Sequence, residues 1–372
     1  MSAVLGQDAA PSMYHHKDVH VRLPALLPLL LLTPILPAQA APDASSGLSF
    51  THNDWTLACD NTRTCRAAGY QNDEDGGNAP VSILLTRVAG PDQPVKAKLM
   101  LGQYDETTLP TQLSLQINDA KLGALKYAAS DGTADLSPAQ TTALLTSLTR
   151  DSRIVLVGND GKRWIVSDRG ASAVLLKMDE FQGRLGTPGA VMRKGKNPES
   201  AVLPAVPMPV VKLAKVVPTR PADEALAHSA ALRAALAAAT SADDCEALHP
   251  GDSVIANEGP QEITVQRLSA DKLLVSQACW RAAYNTGDGY WVVNDRAPYQ
   301  PRLVTTSGEG DDVRTIGESH KGRGLGDCFY STTWGWTGTQ FVKTEVSSTG
   351  LCRLVSAGGA WEMPTLVSKV VE

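Results

Sequence analysis

No part of the sequence carries a specific catalytic motif, and no apolar run is long enough to cross a bilayer. The most apolar stretch, residues 23–36, falls short of the roughly 20 residues of a membrane helix, and prolines interrupt it. The patterns H-E-x-x-H, C-x-x-C and G-x-S-x-G are absent. These absences exclude a membrane span, standard zinc and serine hydrolases and thioredoxin-like chemistry, and no cofactor or metal is predicted.

A strong charge bias is missing as well. The chain of 372 residues has 34 lysines and arginines against 39 aspartates and glutamates, for a net charge of -5. The basic residues are scattered along the sequence and form no stripe. Nucleic acid and an anionic membrane surface are therefore not predicted as partners.

The first forty residues have the form of a secretory signal peptide. Lys17 and Arg22 precede the apolar stretch, which leads to a run of small residues that ends at Ala40. We expect cleavage after Ala40, so the signal peptide is residues 1–40, with Met13 as an alternative natural start. The mature protein is predicted to be soluble and to lie in the periplasm, beyond the inner membrane.

All six cysteines follow this leader. In an exported protein an even number of cysteines predicts disulfides. A proline-rich break leaves Cys59 and Cys65 on one side and four cysteines on the other, so the first pair is predicted by default. The pairing of the other four stays open, but pairs that each bracket one compact segment are favoured. These favoured pairs are Cys245 with Cys279 and Cys328 with Cys352.

The sequence predicts two domains on either side of a linker. The chain without its leader is about twice the usual single-domain size. Residues 191–221 are dense in proline and have no helical or alternating periodicity, which is typical of an extended, semi-rigid linker. The predicted domains are residues 46–190 and 222–372.

Both domains are predicted to be α+β units, mainly antiparallel, with one or two helices laid on a disulfide-clipped sheet. Helices are expected after Ser137-Pro138, over residues 171–181, and over an alanine-rich segment from residue 221 to about 239. Strand patterns recur in both domains. The main ones are residues 55–59, 81–87, 97–101, 111–117, 154–157 and 163–166, then 262–268, 272–279, 290–294 and 302–305.

Several short strings stand out across the mature chain. They are W-x3-C-D-N-x3-C-R-A-x-G-Y from Trp55, M-D-E-F-Q-G-R-L-G-T from Met178, C-W-R-A-A-Y-N from Cys279, G-L-G-D-C from Gly324, W-G-W-T-G-T-Q-F from Trp334, and Cys352-Arg353. Together they resemble the bacterial domain-of-unknown-function family numbered 1176. The resemblance implies an exported Gram-negative periplasmic protein and supplies no catalytic residue. The first domain is also distantly similar to invasion-associated locus B proteins.

Two features have both a functional and a structural interpretation. Residues 72–78 concentrate oxygen ligands with glycine, as a calcium loop does, but they lack the EF-hand spacing, which favours a solvated acidic turn. Residues 307–312 are a weaker case of the same kind. His320 and Cys328 suggest a thiol–imidazole pair, with Asp327 next to the thiol. An exported, evenly paired cysteine favours a disulfide instead.

Aromatic residues supply the candidate binding site. Trp334 and Trp336 share one face if their segment is a strand, and such a pair can stack on a sugar ring or a peptide side chain. The alternative is that the aromatics fill the core of a protein with only 4 phenylalanines. The other candidates are Trp280, Tyr290 and Trp291.

The predicted function is a non-catalytic binding or envelope-support module. Its partner would be an envelope protein, a peptide or a glycan. The alternative is an enzyme of unrecognised type, with thiol chemistry around Cys328.

Overall fold

The computed structural model describes residues 47–73, 79–104, 108–249, 251, 254–310 and 312–372. The predicted signal peptide with Met13, most of the acidic segment at 72–78 and part of 307–312 lie outside the described residues. The described residues form one compact unit, and a division into two domains is not confirmed. Within the described ranges, no helix is long and apolar enough to cross a membrane.

Two antiparallel sheets form the first half of the described chain. The larger has seven strands in the order β1-β2-β3-β4-β5-β9-β8, and the smaller has four in the order β11-β10-β6-β7. The bounds are β1 (Leu48–His52), β2 (Trp55–Cys59), β3 (Cys65–Tyr70), β4 (Val81–Arg87), β5 (Lys96–Leu101), β6 (Leu113–Ile117), β7 (Ala120–Ala124), β8 (Lys126–Ala128), β9 (Thr133–Asp135), β10 (Ile154–Gly158) and β11 (Arg163–Val166).

Two helices accompany these sheets, as the sequence predicts. Helix α1 (Pro138–Ser147) begins with a capping box: Ser137 accepts from Gln140 N at 3.3 Å, and the Gln140 side chain accepts from Ser137 N at 2.9 Å. Helix α2 (Ala171–Phe181) has the predicted bounds and buries Val174, Leu175 and Met178 against the sheet core. Both helices thus close the apolar interior of the first half.

The second half contains two further antiparallel sheets of four strands each. Their orders are β13-β14-β15-β16 and β17-β18-β19-β20, so each is a simple meander of neighbouring strands. The bounds are β13 (Thr264–Arg267), β14 (Lys272–Arg281), β15 (Thr286–Asn294), β16 (Arg302–Gly308), β17 (Thr315–Lys321), β18 (Phe329–Trp336), β19 (Phe341–Ser348) and β20 (Met363–Leu366). This arrangement agrees with the predicted class of mainly antiparallel sheets with few helices.

The alanine-rich segment after residue 221 is not the single helix that the sequence predicts. It forms α3 (Pro221–Glu224), a 3₁₀ turn at Ala225–His228 and α4 (Ala230–Ala239), and a short α5 (Val254–Asn257) follows. Ser229 breaks the helix because its backbone is extended (φ -76°, ψ 113°) and its side chain accepts from Leu232 N at 3.2 Å. The N-cap preference of serine therefore outweighs the helix propensity of the alanines around it.

The proline-rich segment takes part in the fold as well as connecting its halves. Within it, β12 (Val210–Lys212) pairs in parallel with β21 (Lys369–Val371) at the end of the chain. The side chain of Leu213 retains 8% exposure. The last residues also reach the first half, because Gly47 N donates to Thr365 O at 3.0 Å.

Three disulfides are present, and they are the pairs that the sequence favours: Cys59–Cys65, Cys245–Cys279 and Cys328–Cys352. The first closes the β2–β3 hairpin, where the two cysteines are opposite each other. No cysteine in the described part of the chain is free. Cys59, Cys65, Cys245 and Cys279 are buried members of two apolar clusters, so these two disulfides support cores that already exist.

Candidate functional site

The candidate aromatic residues differ in their exposure. Trp291 and Trp336 are completely buried, whereas Tyr290 and Trp334 keep 5% and 7% exposure. The indole of Trp291 donates to the Thr240 hydroxyl at 2.9 Å. The core interpretation therefore applies to Trp291 and Trp336, which a ligand cannot reach in this structure.

Trp334 and Trp336 do lie on one face of β18, and that face is packed. Both belong to a buried cluster that includes Ile316 of β17 and Val292 of β15, so it joins the two sheets of the second half. The Trp336 ring also packs on Phe341, with 5.3 Å between ring centroids. Of the two tryptophans, Trp334 lines a groove at the edge of this layer.

Trp334 lines a groove of about 590 Å³ at that edge. We call it the Trp334 groove. Strands β14, β15 and β16 form one wall, and β18 with the start of β19 forms the other. The charged, amide and aromatic side chains that line it are Lys272, Asn294, Gln300, Arg302, Trp334, Gln340 and Phe341.

Two polar side chains of this groove, Lys272 and Asn294, are held by short hydrogen bonds. Lys272 Nζ donates to Asn294 Oδ1 at 2.6 Å, and Asn294 Nδ2 donates to Pro298 O at 2.7 Å. Lys343 places its Nζ 5.8 Å from the centroid of the Trp334 ring, within range of a cation–π contact. No aspartate or glutamate lines the groove among the described residues, so its lining is cationic, amide-rich and partly aromatic.

The thiol–imidazole pair is not formed. Cys328 is bonded to Cys352 and is completely buried. His320 has other partners: the imidazole packs edge-on against the half-buried Trp280, with 5.2 Å between centroids, and its Nε2 lies 3.2 Å from Thr286 O. Trp280 is thus a packing partner of a histidine on the neighbouring sheet.

Asp327 is held as a structural carboxylate. Its two oxygens accept from Arg323 Nε and Nη2 at 2.7 and 2.5 Å, and Oδ2 also accepts from Leu354 N at 2.7 Å. Burial works against its charge, but these hydrogen bonds outweigh burial and keep the pKa of this carboxyl below its usual value. Asp327, Cys328 and Cys352 come close together, but the disulfide removes both thiolates that a metal would need.

The string from Met178 covers the end of α2 and the loop that follows, and its polar side chains form a buried network. Asp179 Oδ2 accepts from Val191 N and Met192 N, each at 2.8 Å. Arg184 Nε donates to Gln182 Oε1 at 2.8 Å, and its Nη2 donates to Gly90 O at the same distance. Burial raises the pKa of Asp179, although the two N–H groups and Arg87 oppose that effect. The string therefore fixes the loop that follows α2.

The strings at Trp55 and Cys352 meet in the structure. Arg353 Nη2 donates to Asp54 Oδ1 at 3.1 Å, and Leu351 N donates to the Tyr70 hydroxyl at 3.1 Å. Burial raises the pKa of Tyr70 far above its usual value. Gly69 has no room for a side chain, because a Cβ there would lie 2.3 Å from the Trp55 ring. These strings join the two halves of the chain.

Several residues of the Trp334 groove carry no signal in the sequence. Lys272 and Arg302 are single basic residues at the start of β14 and β16, and Asn294 ends β15. Gln340 and Phe341 belong to the string that begins at Trp334. The sequence predicts a binding site in that string, but it singles out only the two tryptophans as binding residues. The groove exists because the two sheets of the second half pack together, which brings β14, β15 and β16 beside β18 and the start of β19.

Comparisons with known proteins agree with the resemblance in the strings. The sequence matches the family described as protein of unknown function (DUF1176) over residues 49–368. It is 26% identical over 366 residues to the uncharacterized protein YpfG of Escherichia coli strain K12, covering 91% of this chain and 97% of that protein. No solved structure matches. Similarity to invasion-associated locus B proteins is not shown and stays a prediction. Because the family match covers most of its length, the chain belongs to the DUF1176 family.

Proposed function

We propose that this protein is an exported, non-catalytic binding protein of the bacterial envelope, and that the Trp334 groove is its ligand site. The observation that carries the proposal is the lining of the groove. Lys272 and Arg302 supply positive charge, Gln340 supplies an amide group, Trp334 and Phe341 supply aromatic edges, and no carboxylate lines the groove within the described residues.

This lining fits an acidic saccharide. Arginine binds carboxylates with paired, charge-assisted hydrogen bonds, amides bind hydroxyl groups as donor and acceptor, and aromatic side chains pack on the apolar face of a ring. The volume of about 590 Å³ is within the usual range for a small-molecule site. An acidic peptide is the competing ligand, since it would use the same cations without needing the aromatic edge.

Three observations support an exported role without catalysis. Residues 1–40 have the form of a signal peptide. The three disulfides are typical of proteins that leave the cytosol. The thiol-based alternative depends on Cys328, which is bonded to Cys352. Alkylation of free thiols in protein taken from the periplasm, followed by a peptide map, tests both points: an alkylated Cys328 would revive the enzyme hypothesis.

Ligand binding is tested with Arg302→Gln and Lys272→Gln, measured by calorimetry against a uronic-acid oligosaccharide. We expect each variant to lose about tenfold or more in affinity, because a hydrogen bond to a charged group is lost. Arg150→Gln is the matched control, since Arg150 is exposed just beyond α1 and lies outside the groove. Removing Trp334 and Trp336 together is a poor test, because both are core residues and the variant would unfold.

A neutral oligosaccharide of the same length and an acidic peptide complete the experiment. Binding of the acidic oligosaccharide alone supports the proposal. Binding of the peptide alone replaces the ligand class. Equal affinity of the wild type, the groove variants and the Arg150 control, or no binding of either acidic probe, would contradict the assignment of this groove.

A further inference from the structure

Arg87, at the end of β4, is a buried cation with few partners. It retains 5% exposure. Its Nε donates to Gln93 O at 2.9 Å. Its Nη1 lies 3.7 Å from Asp179 Oδ1 and has no hydrogen-bond acceptor among the described residues. A guanidinium carries five N–H donors, and the two on Nη1 are buried without an acceptor in the described part of the chain.

Arg267 is a buried arginine of the same protein in which Nε, Nη1 and Nη2 each have a hydrogen-bond acceptor. It retains 2% exposure. Its Nε and Nη2 donate to Asp223 at 2.7 and 2.5 Å, and Nη1 donates to Ser269 O and Ala270 O at 3.0 and 2.8 Å. Buried polar groups are nearly always satisfied in this way, and an exception calls for an explanation. The contrast makes Arg87 a candidate to meet an acceptor that the chain does not supply.

Arg87 lines a second groove, of about 560 Å³. We call it the Arg87 groove. Helix α1, residues 94–95 and the loop at 188–194 surround it. Its apolar wall includes Val95, Leu145, Val191 and Met192, and the exposed Lys194 is a second cation at its edge. No aspartate or glutamate lines it in the described ranges. An apolar wall with a cation at its base is complementary to an anion that carries an apolar body.

The carboxylate nearest to Arg87 does not fill this need. Asp179 directs Oδ2 to the backbone of Val191 and Met192, while its Oδ1 makes no hydrogen bond within the described residues. Burial, and then the positive charge of Arg184, lower the pKa of Arg87 to about 10. The guanidinium therefore stays charged at neutral pH.

We propose that the Arg87 groove binds an apolar monocarboxylic acid, with the carboxylate on the Arg87 guanidinium and the aliphatic chain against Val95, Leu145 and Met192. The paired donors of a guanidinium match the two oxygens of a carboxylate. The aliphatic chain gains affinity from the apolar surface that it covers. This site is independent of the Trp334 groove.

The test uses octanoate and octanamide as probes, with binding measured by calorimetry and by the amide shifts of residues 190–192. We expect octanoate to bind the wild type about tenfold or more tightly than octanamide, because only the carboxylate makes charge-assisted hydrogen bonds. Arg87→Met should abolish the preference. Because that variant leaves Asp179 without its ion pair and its folding is at risk, Leu145→Glu is the second variant. It places a carboxylate on the wall and should reject octanoate.

Leu145→Met is the matched control, since it keeps an apolar side chain of similar volume at the same position, and it should bind octanoate like the wild type. Arg302→Gln, in the Trp334 groove, should also leave octanoate binding unchanged. The proposal is overturned if the wild type does not bind octanoate, if octanamide binds equally well, or if folded Leu145→Glu protein binds octanoate with unchanged affinity.

Discussion

Replacing Asp223 by asparagine should lower the free energy of unfolding by about 3 kcal/mol at neutral pH. Asp223 and Arg267 retain 3% and 2% exposure, and they are joined by two short hydrogen bonds at 2.7 and 2.5 Å. Asparagine keeps the shape but turns an N–H group toward the guanidinium. Breaking a buried ion pair costs roughly 3–5 kcal/mol. The lower end applies because Asp295 Oδ2, at 3.3 Å from Arg267 Nη2, still offers partial compensation.

The stabilisation by the ion pair of Asp223 and Arg267 depends on pH. The hydrogen bond from Arg267 is the main reason that the pKa of Asp223 lies below its usual value, despite burial. Because the pKa is lower in the folded state than in the unfolded state, the stabilisation is fully present above the unfolded value of about 4. It is lost as the pH falls through the folded value. The variant lacks this carboxyl, so the gap between the two proteins should narrow on acidification.

Urea unfolding followed by tryptophan fluorescence, at pH 7 and pH 3, measures both effects. Glu258→Gln is the control, because Glu258 and Arg281 form an ion pair at 2.7 Å with both side chains over 40% exposed. An exposed pair of this kind contributes less than about 1 kcal/mol. A loss below about 1 kcal/mol for Asp223→Asn, or a gap of the same size at both pH values, would refute the reasoning.

Two further predictions concern the N-cap of α1 and the disulfide between Cys328 and Cys352. Ser137→Ala should cost about 1 kcal/mol in urea unfolding, because it removes the side-chain half of the capping box of α1; no change relative to Ser137→Thr would argue against the cap. Cys328→Ser combined with Cys352→Ser should cost about 3 kcal/mol, since the bond closes a loop with a sequence separation of 24. An unfolding midpoint equal to that of the disulfide-bonded protein would show that the packing around this loop is sufficient by itself.

Much of the secondary structure could be predicted because it depends on neighbouring residues. The bounds of α2 and β4 agree with the predicted ranges, and α1 begins at the predicted cap. The break at Ser229 is not predicted, because the alanines around it favour a continuous helix and a single N-cap residue is a weak signal against that pattern. The pairing of β12 with β21 was also missed, since the partner strand lies at the far end of the chain and no local pattern indicates it.

The candidate site was predicted less well than the fold. The tryptophan pair was placed on one strand face, but the pattern could not show that this face is covered by the neighbouring sheet. Of the pair, Trp334 lines a groove, together with Lys272 and Arg302. No pattern in the sequence points to these two basic residues. The alternation of residues along a strand shows which side chains share a face. Only the packing of the sheets decides whether that face is exposed to solvent.

The sequence by itself determined the class of antiparallel sheets with few helices, the pairing of Cys59 with Cys65 and the family, and it favoured the other two disulfide pairs. These features follow from short-range periodicity, from capping and turn residues, and from strings of adjacent residues. Only the tertiary structure decided which aromatics are buried, that Arg353 is paired with Asp54, and that Lys272 and Arg302 share a groove with Trp334. Those features join residues far apart in the chain, and their energies depend on burial, which is a property of the packed molecule and not of any segment.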